Sequence, residues 1–150
     1  MPVTPSGIKI DDGFPTFVGF SLPSATAAGF WEKEVTPLSL MGGGANDTTT
    51  MHNITWRTKA PKLLKSAGDT TGLCAYDPEV YEDLVTALNQ IQLVTVYFAN
   101  GDTLAFYGWI DEFKPNSAKE GDQPTATFTV IASNQTATGL EVAPVWTAAP

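Results

Sequence analysis

Few side chains in this sequence could do chemistry, and their spacing argues against most of it. Cys74 and His52 are the only cysteine and the only histidine. A cysteine nucleophile needs a histidine beside it, and a metal site needs clustered ligands. His52 has no clustered partner and reads as a partly buried or interface residue. Cys74 reads as a small core residue on a strand. Glu82-Asp83 sit in a helical pattern and read as its solvated face. Asp111-Glu112 point to opposite faces of a strand, so they cannot form an acid/base pair. The triple glycine in Met41-Gly42-Gly43-Gly44-Ala45-Asn46-Asp47-Thr48-Thr49 invites a phosphate-loop reading, but neither a Lys-Ser or Lys-Thr pair nor a helix follows it. It reads as a mobile hairpin tip. Trp31, Trp56, Trp109 and Trp146 could stack on sugars, although core or subunit packing is the simpler account. The sequence points to neither an enzyme nor a cofactor or metal site.

The composition narrows the remaining choices. A chain of 150 residues is expected to fold as one domain that buries about two-thirds of its unfolded surface. Sixteen acidic residues against eight basic ones give a net charge of −8, which opposes nucleic-acid binding through a basic stripe. A negative wall would still let a duplex slide past without sticking. Charged residues make up only 16% of the chain, so Thr, Ser, Asn and Gly carry the polar surface. Such a surface suits extensive contact between subunits. Neither a membrane span nor a signal peptide is visible, and the protein is expected to be made in a cytoplasm. For that reason three Asn-X-Thr triplets, at Asn46, Asn53 and Asn134, are discounted as glycosylation sites.

The elements that must hold these residues are clearest between Asp77 and Ala132. Asp77-Pro78 is a helix start, with Glu79, Glu82 and Asp83 near the positive end of the dipole. Val80, Leu84, Ala87, Leu88 and Ile91 form one apolar stripe, and Val80, Leu84 and Leu88 are its packing residues. Leu93–Ala99 and Thr103–Phe113 flank Asn100-Gly101 as a β-hairpin. A three-residue loop, Asn100-Gly101-Asp102, with a glycine bulge pairs Phe98 with Leu104. It also places Val94, Val96, Phe98, Leu104, Phe106 and Ile110 on one face. Thr125–Ala132 alternates as a third strand. The opposite face carries Leu93, Tyr97, Tyr107 and Trp109 beside threonines. It needs cover from a second sheet or a neighbouring subunit.

Upstream, Phe14–Leu22 alternates as a first strand after an N-terminal arm. Trp31–Leu40 is a second, at an edge or bent because Pro37 lacks a donor. Thr50–Lys59 alternates as a third, so Trp31–Leu40 and Thr50–Lys59 would form one long hairpin with a loose end. Leu63–Ser66 and Thr70–Tyr76 are short strands, and 115–123 is a polar loop. The domain is expected to span 1–135. Residues 136–150 are expected to form a weakly ordered tail on which Val145 and Trp146 could dock. The fold class is mainly β with one helix, as two packed antiparallel sheets in a sandwich or partial barrel.

Four runs resemble the major tail tube proteins of long, non-contractile phage tails. They are Thr49-Thr50-Met51, Trp56-Arg57-Thr58-Lys59-Ala60-Pro61, Ala75-Tyr76-Asp77-Pro78-Glu79-Val80-Tyr81 and Glu120-Gly121-Asp122-Gln123-Pro124-Thr125-Ala126. The likeness runs from the first strand to about Ala132. It implies hexameric rings, each closing a β-barrel from six subunits and stacking into a tube that conducts DNA through an acidic lumen without specific binding. It also implies kinship with the tube proteins of contractile tails and type VI secretion. The partners it implies are other copies of the chain, a tape measure protein and a tail terminator, and the location is a virion tail assembled in a bacterial cytoplasm. The run Met41–Thr49 matches the family's long loop, which would contact the next ring. Trp56, Arg57, Tyr97, Tyr107 and Trp109 are candidate subunit-interface residues. The extra surface immunoglobulin-like domain of some relatives is expected to be absent. The rival reading is a carbohydrate-binding or adhesive β-sandwich.

Overall fold

The computed structural model describes residues 16–21, 30–76, 78 and 80–150. In chain order the strands are β1 (Phe17–Ser21), β2 (Trp31–Thr36), β3 (Leu40–Met41), β4 (Ala45–Asp47), β5 (Lys59–Pro61), β6 (Ser66–Ala67) and β7 (Thr70–Ala75). Helix α1 (Val80–Ala87) follows, then β8 (Gln92–Tyr97), β9 (Thr103–Pro115), β10 (Thr125–Ala132) and β11 (Val145–Thr147). The N-terminal arm, the helix-start residues Asp77 and Glu79, and the side chain of Val80 lie outside the described residues.

Strand β9, at 13 residues, is the spine. On one side it pairs with β8 from Thr103 to Gly108. Beyond that point the helix end takes over, where Leu88 bridges Ile110 and the Asn89 N–H donates to the Ile110 carbonyl at 3.3 Å. On the other side β11 covers residues 103–105 and β10 covers 108–115. The β8–β9–β10 meander is therefore the one expected. Its face assignment also holds, with Val94, Val96, Leu104, Phe106, Ile110, Ala126, Phe128 and Val130 all in the core.

The β8–β9 turn does have a three-residue loop with a glycine bulge, but it begins one residue early. Phe98 pairs with Asp102 through its N–H to the Asp102 carbonyl at 2.9 Å, and its own carbonyl accepts from the Gly101 N–H at 3.0 Å. The loop is Ala99-Asn100-Gly101 because the bulge needs positive φ at its last position, and Gly101 supplies it at 92°. The pairing therefore sets Val96 against Leu104 instead of Phe98. Two residues of shift keep every side chain on its expected face.

The main sheet runs β1-β8-β9-β10-β7-β2, all antiparallel, with β11 added to β9. It curls until its edges β1 and β2 meet, so the two expected layers are halves of one rolled sheet. Their seam is closed by a side chain: the Val18 N–H donates to Glu32 Oε1 at 3.0 Å. Behind the seam Phe30 stacks on Phe128 (4.8 Å) and Phe113 (5.5 Å) and meets Phe20 edge-on (5.5 Å). Gly72 lies opposite Phe128, and a Cβ there would strike the ring. From α1, Leu84 and Ala87 are buried in this core, while Leu88 packs at its margin.

Candidate assembly surface

Among the described residues two surfaces stand exposed, and the sequence-derived candidates divide between them. The first is the outside of the rolled sheet. Tyr97, Tyr107 and Trp109 lie on that face beside Thr95, Thr127 and Thr129; Tyr97 is exposed, Tyr107 and Trp109 are half-buried, and the 136–138 turn lies beside Tyr107. Phe17 joins them by stacking on Tyr97 at 4.7 Å. Gly19 makes room for that stack, because a Cβ would come within 2.9 Å of the Tyr97 ring.

A β-bulge at Asp111 ends this uncharged zone. Ile110 pairs with Val130 and Glu112 with Thr129, which leaves Asp111 unpaired. Both carboxylates are exposed, in place of the opposed pair that strict alternation implies. Past the bulge it is Phe113 that faces inward.

The second surface is the long hairpin. The β2–β7 pairing continues outward through β3–β6 and β4–β5, with Leu40 opposite Ala67 and Asp47 opposite Lys59. One residue of slip separates the β3–β6 register from that of β4–β5, and the glycine run sits at this slip. Gly43 lies so close to the Leu64 carbonyl that a Cβ would collide with it, and Gly44 has φ of 88°. Met41–Thr49 is thus the outgoing limb and not the tip. The tip is 48–58, and of the strand expected over Thr50–Lys59 only Lys59 forms one, as the first residue of β5. The tip's polar side chains bond the local backbone instead. The Thr50 N–H donates to Asn53 Oδ1 (2.8 Å), Asn53 Nδ2 to the Trp56 carbonyl (2.9 Å), and the Thr49 N–H to Asp47 Oδ1 (2.9 Å). The Thr49 hydroxyl and N–H together hold the Asp47 carboxyl below the usual aspartate range, and Arg57, at 3.2 Å, adds to this.

This hairpin collects apolar surface. Of the fourteen large hydrophobic side chains exposed among the described residues, seven lie on it: Leu40, Met41, Met51, Ile54, Trp56, Leu63 and Leu64. Leu63 and Ile54 are more than nine-tenths exposed, at 94% and 98%. At its root a cleft of about 680 Å³ opens between Leu40, Leu64 and the 141–144 segment. Large exposed apolar patches mark sites of contact with proteins, membranes or ligands.

Of the two reactive groups, packing accounts for Cys74, whereas His52 is not the partly buried residue expected. Cys74 is fully buried and donates to the Ala126 carbonyl at 3.4 Å; burial and the nearby Glu32 push its thiol up to about 11. His52 is exposed at the hairpin tip. Residues 136–150, expected as a weakly ordered tail, turn at 136–140 and return as β11. Trp146 meets Phe98 at 5.2 Å and the Ala149 N–H donates to Asp102 Oδ1 at 2.7 Å. The β11 pairing escaped sequence reasoning because Val145-Trp146-Thr147 is short and proline-flanked; the one signal was its apolar pair.

No family model and no curated protein matches this chain. Solved structures do. The chain is similar to the tail of an empty gene transfer agent particle determined with C6 symmetry, at TM-score 0.62 and 13% identity, covering 92% of this chain and 99% of that one. The same figures hold for the virion of the native gene transfer agent particle. A sixfold-symmetrised baseplate of the anti-feeding prophage matches at TM-score 0.61 and 10% identity, over 88% of this chain and 91% of the other. The chain therefore has the fold of phage-like tail structures, the fold that the sequence resemblance implies.

Proposed function

We propose that the chain is the major tube subunit of a phage-like tail. Six copies close a ring, rings stack into a tube, and DNA passes through it. The observation that carries this reading is the near end-to-end fold likeness to sixfold tail particles. The two uncovered surfaces give it physical content. The uncharged outer face with Tyr97, Tyr107 and Trp109 suits side-by-side contact within a ring. The hairpin, with Met41–Thr49 on its outgoing limb and Trp56 and Arg57 at its tip, suits contact with the next ring. A net charge of −8 with a threonine-rich surface gives passing DNA nothing to hold. A tape measure protein within and a terminator at the end are the further partners this role requires.

Negative-stain microscopy of concentrated protein tests the proposal, with hollow tubes as the expected result. Replacing residues 43–64 with a two-residue turn should leave a folded subunit that forms no tubes, because none of the core side chains lies in that stretch. Tubes of normal length from that variant would refute the hairpin's role. No observation favours the sugar-binding alternative. The exposed rings of Trp31, Trp56 and Trp146 stand on β2, in the hairpin tip and on β11.

A further inference from the structure

The long hairpin and the body of the subunit carry opposite charge. Residues 40–67 hold four of the eight basic residues, Arg57, Lys59, Lys62 and Lys65, and one of the sixteen acidic ones, Asp47. That segment is net +3 while the whole chain is −8, which leaves −11 on the remainder. Asp47 is engaged by Arg57. Lys59, Lys62 and Lys65 are exposed and make no ion pair within the described residues, and they flank the exposed Leu63 and Leu64.

Topology places negative charge at the other end of the barrel. The hairpin leaves the body where β7 begins. The loop 116–124, with exposed Glu120 and Asp122, lies where β7 ends, tied there by the Tyr76 N–H to the Pro124 carbonyl at 2.9 Å. Exposed Asp83 is on the helix that follows β7 from that same end. Lys119 and exposed Lys114, opposite Thr127 near this end, offset part of this charge. The length of β7, roughly 16 Å at ~3.3 Å per residue, separates the two ends by more than a Debye length of ~8 Å. At the hairpin's root exposed Asp69 precedes β7 and Glu141 lines the same cleft as Lys65, so one subunit offsets this separation only in part. A hairpin-to-hairpin contact would set lysines against lysines. A head-to-tail contact brings opposite charges together, and such heterologous contacts continue into open stacks.

We propose that the returning limb, from Lys59 to Lys65, seats on the acidic end of a second copy. There Lys62 and Lys65 face Glu120, Asp122 and Asp83, and Leu63 and Leu64 act as apolar anchors. The charge separation then sets the direction of stacking. This inference rests on the tube reading above and specifies its partner surface.

Charge reversal tests it. Lys62→Glu with Lys65→Glu, or Glu120→Lys with Asp122→Lys, should each raise the critical concentration for tube assembly by about tenfold or more. All four changes in one chain should restore it to within about threefold of the unchanged protein. In the unchanged protein the critical concentration should climb with added NaCl. Circular dichroism checks that each variant is folded. Reversed variants that assemble as well as the unchanged protein would overturn the docking and leave the tube reading standing. So would a folded four-change chain that stays unassembled. An unchanged protein that never assembles removes both.

Discussion

Glu32 closes the barrel seam with one half-buried carboxylate, so its chemistry can be separated from its geometry. Burial raises its pKa above the ordinary 4.5, and the Val18 N–H pulls it back down. Because folding raises the pKa, this group's contribution to stability is fully present below the ordinary value. It is lost as pH rises through the folded value. Glu32→Gln keeps an acceptor for Val18 and removes the buried charge. It should be neutral to slightly stabilising at pH 7 and flatten the acid-side slope of stability, read by urea unfolding at several pH values. Glu32→Ala leaves the Val18 N–H without its partner and should cost about 1–3 kcal/mol. Gly72→Ala drives a methyl into Phe128 and should cost about 1–3 kcal/mol or more by the same assay. At this scale alternation made Val94, Phe106 and Phe128 legible as core, and Cys74 followed from its strand. The Glu32–Val18 contact was not legible, because it depends on which two sheet edges meet.

Among the elements, the hairpin tip and the β8–β9 turn respond to different residues. The tip is held by Asp47, Thr49 and Asn53 over backbone exposed to water. Asn53→Ala should speed amide exchange across 48–58 while moving the global unfolding free energy by no more than about 0.5 kcal/mol. The Asp47 pKa is depressed, so its contribution to order at the tip is fully present above the ordinary aspartate value of 3.8. It is lost as pH falls through the lower folded value, which exchange rates across that range would register. Gly101→Ala places a side chain at positive φ and should cost about 1–2 kcal/mol in thermal unfolding. The meander was readable because propensity, alternation and turn chemistry agreed there. The stretch from Thr50 to Lys59 misled because alternation is only permissive. Its Thr and Asn side chains out-compete a ladder for the local backbone.

For the whole molecule, the tube reading predicts a mass that rises with concentration. Sedimentation velocity should resolve subunits giving way to large assemblies, and a strict monomer at every concentration would sink the proposal. That Tyr97, Tyr107 and Trp109 fall on one face of the meander was visible in the sequence, since strict alternation sets it. A long hairpin was visible too, but its returning limb was misplaced: Trp31–Thr36 pairs with Thr70–Ala75 instead of Thr50–Lys59, because the limbs between are short pairings interrupted by glycines and a register slip.

The thiol at Cys74 lies opposite Glu32 across the β2–β7 pairing, just inside the seam. A maleimide can reach that sulfur only when the rolled sheet springs apart, so its labelling rate is a clock for breathing of the barrel. If neighbours in a ring brace the wall, the clock should run slower in assembled material than in free subunits. The chain thus carries a native chemical reporter that requires no engineered cysteine.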